Sequence, residues 1–202
     1  MYSLLKIDAL LRSEHPYLTA QDDCSYFMEY FPKIRDDVNS IIMNFKKTVD
    51  RIGKSDYRYK GITIQRIADL FKQTIPHFIN EFTILVPIPP SKVKGHPLYD
   101  DRVVRLLKLF CRNQEHADIR EILSANGNLQ ASHESTQRPT PDEIKQNLQI
   151  DVSLCEDKRP NIILVDDVIT TGSHFKACKE LLQEQFPESN ISGLFIARRA
   201  II

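Results

Sequence analysis

The stretch "NIILVDDVITTGSHFKACKELL" runs from Asn161 to Leu182. Ile162 to Val165 form an apolar run of strand length; two adjacent acids follow, then Thr-Thr-Gly-Ser, and then a helical pattern. Neighbouring carboxylates repel each other and resist burial, so Asp166 and Asp167 need a cation, hydroxyl donors or a ligand beside them. In an open parallel sheet, ligands bind at the carboxyl ends of strands. A ribose offers two hydroxyls, one for each carboxylate. The helix start directly after the acids offers backbone N–H groups, a glycine at 172 that allows close approach, and the hydroxyls of Thr170, Thr171 and Ser173, a combination that suits phosphate. Acids for ribose hydroxyls and a turn for phosphate, a few residues apart, specify a ribose 5-phosphate. The plainer alternative is a solvated acidic turn with Thr171 or Ser173 capping the helix. It accounts for an arbitrary Asp-Asp pair better than for this whole succession.

Working outward, "ISGLFIARR" reads as a further strand and "FTILVPIPP" as a buried strand stopped by a rigid proline loop. "RVVRLLKLFCR" has helical spacing, and "DIREILSA" is ambiguous between strand and helix. "TPDEIKQNL" begins with Thr140 as N-cap, Pro141 at the first helical position and Glu143 in place for a capping box. Strand–helix–strand alternation with continuous apolar strands predicts an α/β fold, a parallel sheet flanked by helices. In the first eighty residues, "SYFMEYF", "VNSIIMNFKKTVDRI" and "TIQRIADLFKQTIPHFI" each place apolar residues three and four apart. They predict a helical N-terminal hood over residues 1–80 packed on an α/β core over residues 81–202. The polar segment from Asn126 to Asp142 has no periodicity and predicts a loop long enough to act as a lid.

Composition narrows the function classes. Of 202 residues, 27 are basic and 27 acidic, so the formal charge is zero and a general nucleic-acid binder, which shows a basic excess, is disfavoured. No run of eighteen apolar residues occurs, so no membrane association is expected. The N-terminus carries Asp8 and no small-residue cleavage site, and reads as part of the fold. Cys24, Cys111, Cys155 and Cys178 are scattered, which argues against a zinc or disulfide framework and for a reducing cytoplasm.

"IILVDDVITTGS" resembles the phosphoribosyl-pyrophosphate (PRPP) motif of type I phosphoribosyltransferases at almost every position. The order of elements is most similar to ComF-like proteins: "ILVPIPPSK" resembles the first core strand and its pyrophosphate loop, "IIMNFKK" the lysine-bearing helix upstream, and "FIARR" the closing strand. The resemblance implies a PRPP-binding enzyme, a pentosyl-type glycosyltransferase in which Mg²⁺ accompanies PRPP and is held mostly by its oxygens and by water, with no dedicated protein cage. Asp166 and Asp167 would hold the ribose 2- and 3-hydroxyls; Thr170, Thr171, Gly172 and Ser173 would cradle the 5-phosphate; and Pro89, Pro90, Ser91 and Lys92 would face pyrophosphate. The small-molecule partner is then PRPP or a nucleotide monophosphate. Non-catalytic PRPP or nucleotide sensing, and a ComF-like accessory role in DNA uptake or defence, are the alternatives. The acceptor base, the catalytic residues and the oligomeric state, a homodimer included, stay open.

Two features depart from the ComF-like pattern: the four-cysteine zinc module is missing, and "KVKGHPLYDDR" stands where an "RGFNQ"-type segment belongs. Arg138 in the polar segment is a candidate for pyrophosphate. Of the histidines, His96 and His174 fall near the expected site, whereas His15, His77, His116 and His133 read as surface or boundary residues. Lys46 and Lys47 are expected on a solvated helix face, the alternative being that they reach the site if the helical region folds over it, and the charges of "DDRVVRLLK" are expected on an exposed face. Cys178 has core spacing.

Overall fold

In the computed structural model, which describes residues 2–127 and 139–201, the apolar run from Ile162 to Val165 is buried on an interior strand of the main sheet. Seven strands form: β1 (Leu5–Lys6), β2 (Cys24–Tyr30), β3 (Thr83–Pro87), β4 (Leu123–Ala125), β5 (Leu148–Ile150), β6 (Asn161–Ile169) and β7 (Asn190–Arg199). The main sheet has the order β1-β2-β7-β6-β3; β2, β7, β6 and β3 are mutually parallel and β1 runs antiparallel at the edge. β4 and β5 form a separate antiparallel pair.

The helices are α1 (Asp37–Phe45), α2 (Arg58–Thr74), α3 (Arg102–Phe110), α4 (Pro141–Gln146) and α5 (Ser173–Gln185). Alternate residues of the central strands enter two cores. Ile163 and Val165 of β6 join a cluster with Phe45 of α1, Phe71 of α2 and Phe110 of α3, while Ile162 and Leu164 join Phe175 and Leu182 of α5 on the other face. A strand buried on both faces needs apolar residues at every position, which is why the run is continuous rather than alternating. Burying each such side chain contributes about 1.5–3 kcal/mol.

The helical expectation for the first eighty residues holds at α1 and α2 and fails at "SYFMEYF", which is β2. Tyr26 faces one core and Phe27 the other, and the strand is paired along both edges, to β1 and to β7. A short apolar run buried on both sides has no periodicity of its own, so incidental three-and-four spacing imitates a helix. Residues 1–80 are therefore not a purely helical layer, and a boundary at residue 80 does not part helices from sheet. The helix expected from Val38 to Ile52 stops at Phe45, and Val49–Arg51 form a separate turn of 3-10 helix. α4 has the expected capping box, Thr140 with Glu143. Much of the segment read as a lid lies outside the described residues, including His133 and Arg138. Its flanks meet, because β4 pairs with β5 and the Asn126 N–H donates to the Asn147 carbonyl at 3.0 Å.

Candidate functional site

β6 does not end where its apolar run ends. It stays paired with β7 as far as Ile169, opposite Arg198, whereas its other neighbour β3 stops at Pro87, opposite Val165. Ile88 makes one last bond to the Val165 carbonyl at 2.9 Å, and the prolines then carry the chain away. Asp166 and Asp167 thus lie within the strand, on the stretch that β3 has left uncovered, and not in a turn beyond it. The opening is a cleft of about 440 Å³ at the carboxyl ends of β3 and β6.

Of the residues expected from sequence, Asp166, Asp167, Thr170, Pro90, Ser91 and Lys92 all line this cleft. Thr171, Gly172 and Ser173 follow Thr170 at the start of α5 but are not part of the cleft wall. Gly172 has φ +85°, and a Cβ there would lie 2.9 Å from Leu18 Cδ2, so the position favours glycine for both backbone and space. The turn is held from behind by the N-terminal segment. His15 Nδ1 bonds the Thr170 carbonyl, and the Tyr17 N–H donates to the Thr171 carbonyl at 3.1 Å. His15 is fully buried, not a surface residue, and burial pulls its pKa below the ordinary histidine value.

Ion pairs dominate the cleft floor. Asp167 Oδ1 receives Lys46 Nζ at 2.9 Å and its own neighbour's N–H, from Val168, at 2.7 Å. Its Oδ2 receives Arg102 Nε at 2.9 Å and Nη2 at 2.7 Å. Arg102 Nη1 reaches Asp100 at 2.7 Å, and Asp100 in turn receives the ammonium of the fully buried Lys60 at 2.7 Å. Lys60 also donates to the carbonyls of Phe45 and Lys47. Five charged side chains, from the C-cap of α1, from α2, from the loop before α3, from α3 itself and from β6, therefore form one chain of contacts. Among the described residues Asp166 takes no cation; its Oδ1 accepts the Asp167 N–H at 2.7 Å.

The two acids consequently differ. Burial and the charge of Asp167 push the Asp166 carboxyl up to about 7. Burial also opposes charge on Asp167, but Arg102 and Lys46 outweigh it and hold that carboxyl below its ordinary value. Burial likewise works against the charge of Arg102, yet Asp167 and Asp100 overcome it, so the guanidinium stays ionised. One carboxyl that keeps its proton to higher pH beside one that loses it more readily is what a repelling pair reaches when only one member has cations.

Two expectations are corrected. Lys46 is on Asp167 rather than on a solvated face, and Asp100 and Arg102 of "DDR" turn into the ion pairs of the cleft rather than outward, while Asp101 stays exposed at its rim. Arg102 had a signal in the sequence: it opens α3, and a cation in the first turn of a helix opposes the helix dipole unless an anion holds it. Lys60 had one too, since it lies on the same stripe of α2 as Ile64, Ile67 and Phe71. His15 had none, because its partner is a backbone carbonyl 155 residues away. His174 lines the cleft, and His96 lies outside it on an exposed loop. Cys178 is buried in the core, as its spacing predicts.

Among the described residues, no group of three or more His, Cys, Asp or Glu side chains is placed to hold a metal ion, and no helix is long and apolar enough to cross a membrane. No protein-family model and no curated protein matches the chain.

Proposed function

We propose that the protein transfers a phosphoribosyl group from PRPP to a nitrogenous acceptor, releasing pyrophosphate. One observation carries this reading: a single cleft at the carboxyl ends of parallel strands gathers Asp166 and Asp167, Thr170 at the head of the turn into α5, and the Pro89–Lys92 loop. These are the three parts that the resemblance assigns to ribose, 5-phosphate and pyrophosphate; the first two are contiguous in sequence, and the third lies far upstream of them. Asp166, paired with no cation among the described residues, accepts a ribose hydroxyl; the turn after Thr170 meets the phosphate; Lys92, Lys46 and Arg102 neutralise charge on the departing pyrophosphate. Mg²⁺ fits as a passenger of PRPP, held mostly by its oxygens and by water, because in the unliganded cleft Asp167 is paired with two cations and is not an open anionic ligand. When bound, it would neutralise diphosphate charge.

The test is calorimetry and thermal melting of the full chain with PRPP and Mg²⁺, followed by an assay of pyrophosphate release with a panel of nitrogenous bases. Binding at millimolar PRPP or better, with a raised melting temperature, is expected. No heat and no shift with PRPP, ribose 5-phosphate and nucleoside monophosphates would sink the reading. Binding without release for any base would leave a PRPP sensor instead of an enzyme.

A further inference from the structure

Asp167 is the least exposed charged group in the cleft, yet both its oxygens are taken by cations that a ligand can reach. Its side chain is 4% exposed, against 43% for Lys46 and 21% for Arg102. The guanidinium grips Oδ2 through Nε and Nη2 while the ammonium holds Oδ1. This is how a guanidinium fork and an ammonium together hold a bound oxyanion. We propose that the Asp167 carboxylate is an internal stand-in for a ligand's diphosphate, keeping Lys46 and Arg102 until a diphosphate group enters the cleft and takes them.

Three features of the geometry make the exchange workable. A diphosphate carries several negative charges against one, so it wins two shared cations even though Asp167 is nearer to them. Arg102 has a second anchor, Asp100 at 2.7 Å, itself held by Lys60, so the guanidinium pivots within the cleft when Asp167 releases it. Asp167 keeps the Val168 N–H at 2.7 Å, so the carboxylate left behind is not stranded. What it gains is free lone pairs facing the cleft. Engagement of the diphosphate end of a ligand thereby releases a second reader for hydroxyls at the other end. Naming that second end as ribose rests on the function proposed above; the exchange with diphosphate does not.

Titration calorimetry of the full chain with magnesium pyrophosphate, and with inorganic phosphate for comparison, tests the exchange. Asp167→Asn removes the internal competitor and is expected to bind pyrophosphate roughly tenfold tighter or more, the scale of one close charge pair. The same variant should bind ribose 5-phosphate no better than the native chain. Lys46→Gln/Arg102→Gln should lose pyrophosphate binding. A measurement on the native chain guards against misfolded variants: the Arg102 Nε–H resonance, assigned with Arg102→Lys, should move as pyrophosphate is added. An unmoved resonance overturns the proposal, as does Asp167→Asn binding pyrophosphate equally or more weakly. Phosphate gaining as much as pyrophosphate would overturn the diphosphate class. If pyrophosphate behaves as expected but PRPP does not bind, the exchange stands and the phosphoribosyl reading falls. If PRPP binds but Asp167→Asn leaves pyrophosphate affinity unchanged, only the exchange falls.

Discussion

Asp167 meets Lys46 at 2.9 Å and Arg102 at 2.7 Å, while Asp166 beside it meets, among the described residues, only a backbone N–H. Their contributions to stability therefore run oppositely with pH. The Asp166 carboxyl is raised from an ordinary acid value to about 7, so the folded state holds that proton more tightly than the unfolded chain. Its favourable contribution is complete below the unfolded value near 4 and is lost as pH rises to about 7. Asp167 is lowered, so its contribution is present above its unfolded value and is lost in acid. Asp166→Asn is expected to leave stability nearly unchanged at pH 4 and to raise it by up to a few kcal/mol at pH 8. Melting curves of both proteins across that range check it, and a difference independent of pH would contradict it. The same variant should weaken ribose 5-phosphate binding, since the residue would be held at the cost of stability for the sake of a ligand.

The turn between β6 and α5 shows how an element acquires its shape from a distant segment. Thr170 and Thr171 turn their carbonyls toward His15 and the Tyr17 N–H, and Leu18 packs where a side chain at 172 would go. Gly172→Ala meets two penalties, a left-handed φ and contact with Leu18, of which the second is eased because the Leu18 side chain can yield. An expected cost of about 1–3 kcal/mol follows, measurable by urea unfolding. Ribose 5-phosphate affinity should fall with it, because the turn must shift to accept the methyl. Stability lost without any change in phosphate affinity would place the phosphate elsewhere. His15 adds a pH limit to the same element: its pKa is lowered mainly by burial, so the neutral ring is the folded form, and this support declines as pH falls below the ordinary histidine value.

At the scale of the molecule, Lys60 ties the helical layer to the site. Its ammonium joins α2 to the C-terminal end of α1 through two carbonyls, and to Asp100 just ahead of α3. Lys60→Met would leave Asp100 buried with Arg102 alone and would free two carbonyls. Removing one partner from a buried pair costs about 3–5 kcal/mol, so the variant should melt well below the native chain. Pyrophosphate affinity should fall as well, because the Asp100 anchor of Arg102 loosens. A neutral effect on stability would mean that the pair is replaceable by packing, as happens for some buried ion pairs.

Some of this architecture was written in local sequence and some was not. The central strands β3, β6 and β7, helices α3 and α5, and the capped start of α4 each declare themselves within a dozen residues, through continuous apolar runs, helical spacing and a Thr140–Glu143 box. The cleft lining was legible in the same way where it is contiguous, at Asp166, Asp167 and Thr170 and from Pro89 to Lys92, whereas Thr171, Gly172 and Ser173 fall outside the cleft wall. Tertiary structure alone decided that Cys24–Tyr30 is a strand of the central sheet, since both its edges and both its faces are supplied by remote elements. It alone joined Lys46, Lys60, Asp100 and Arg102 to Asp167, over separations of up to 121 residues. The physical reason is common to both: periodicity and capping are properties of neighbours along the chain, whereas a buried charge is tolerable only with a partner in space, and sequence spacing does not say which partner folding will bring.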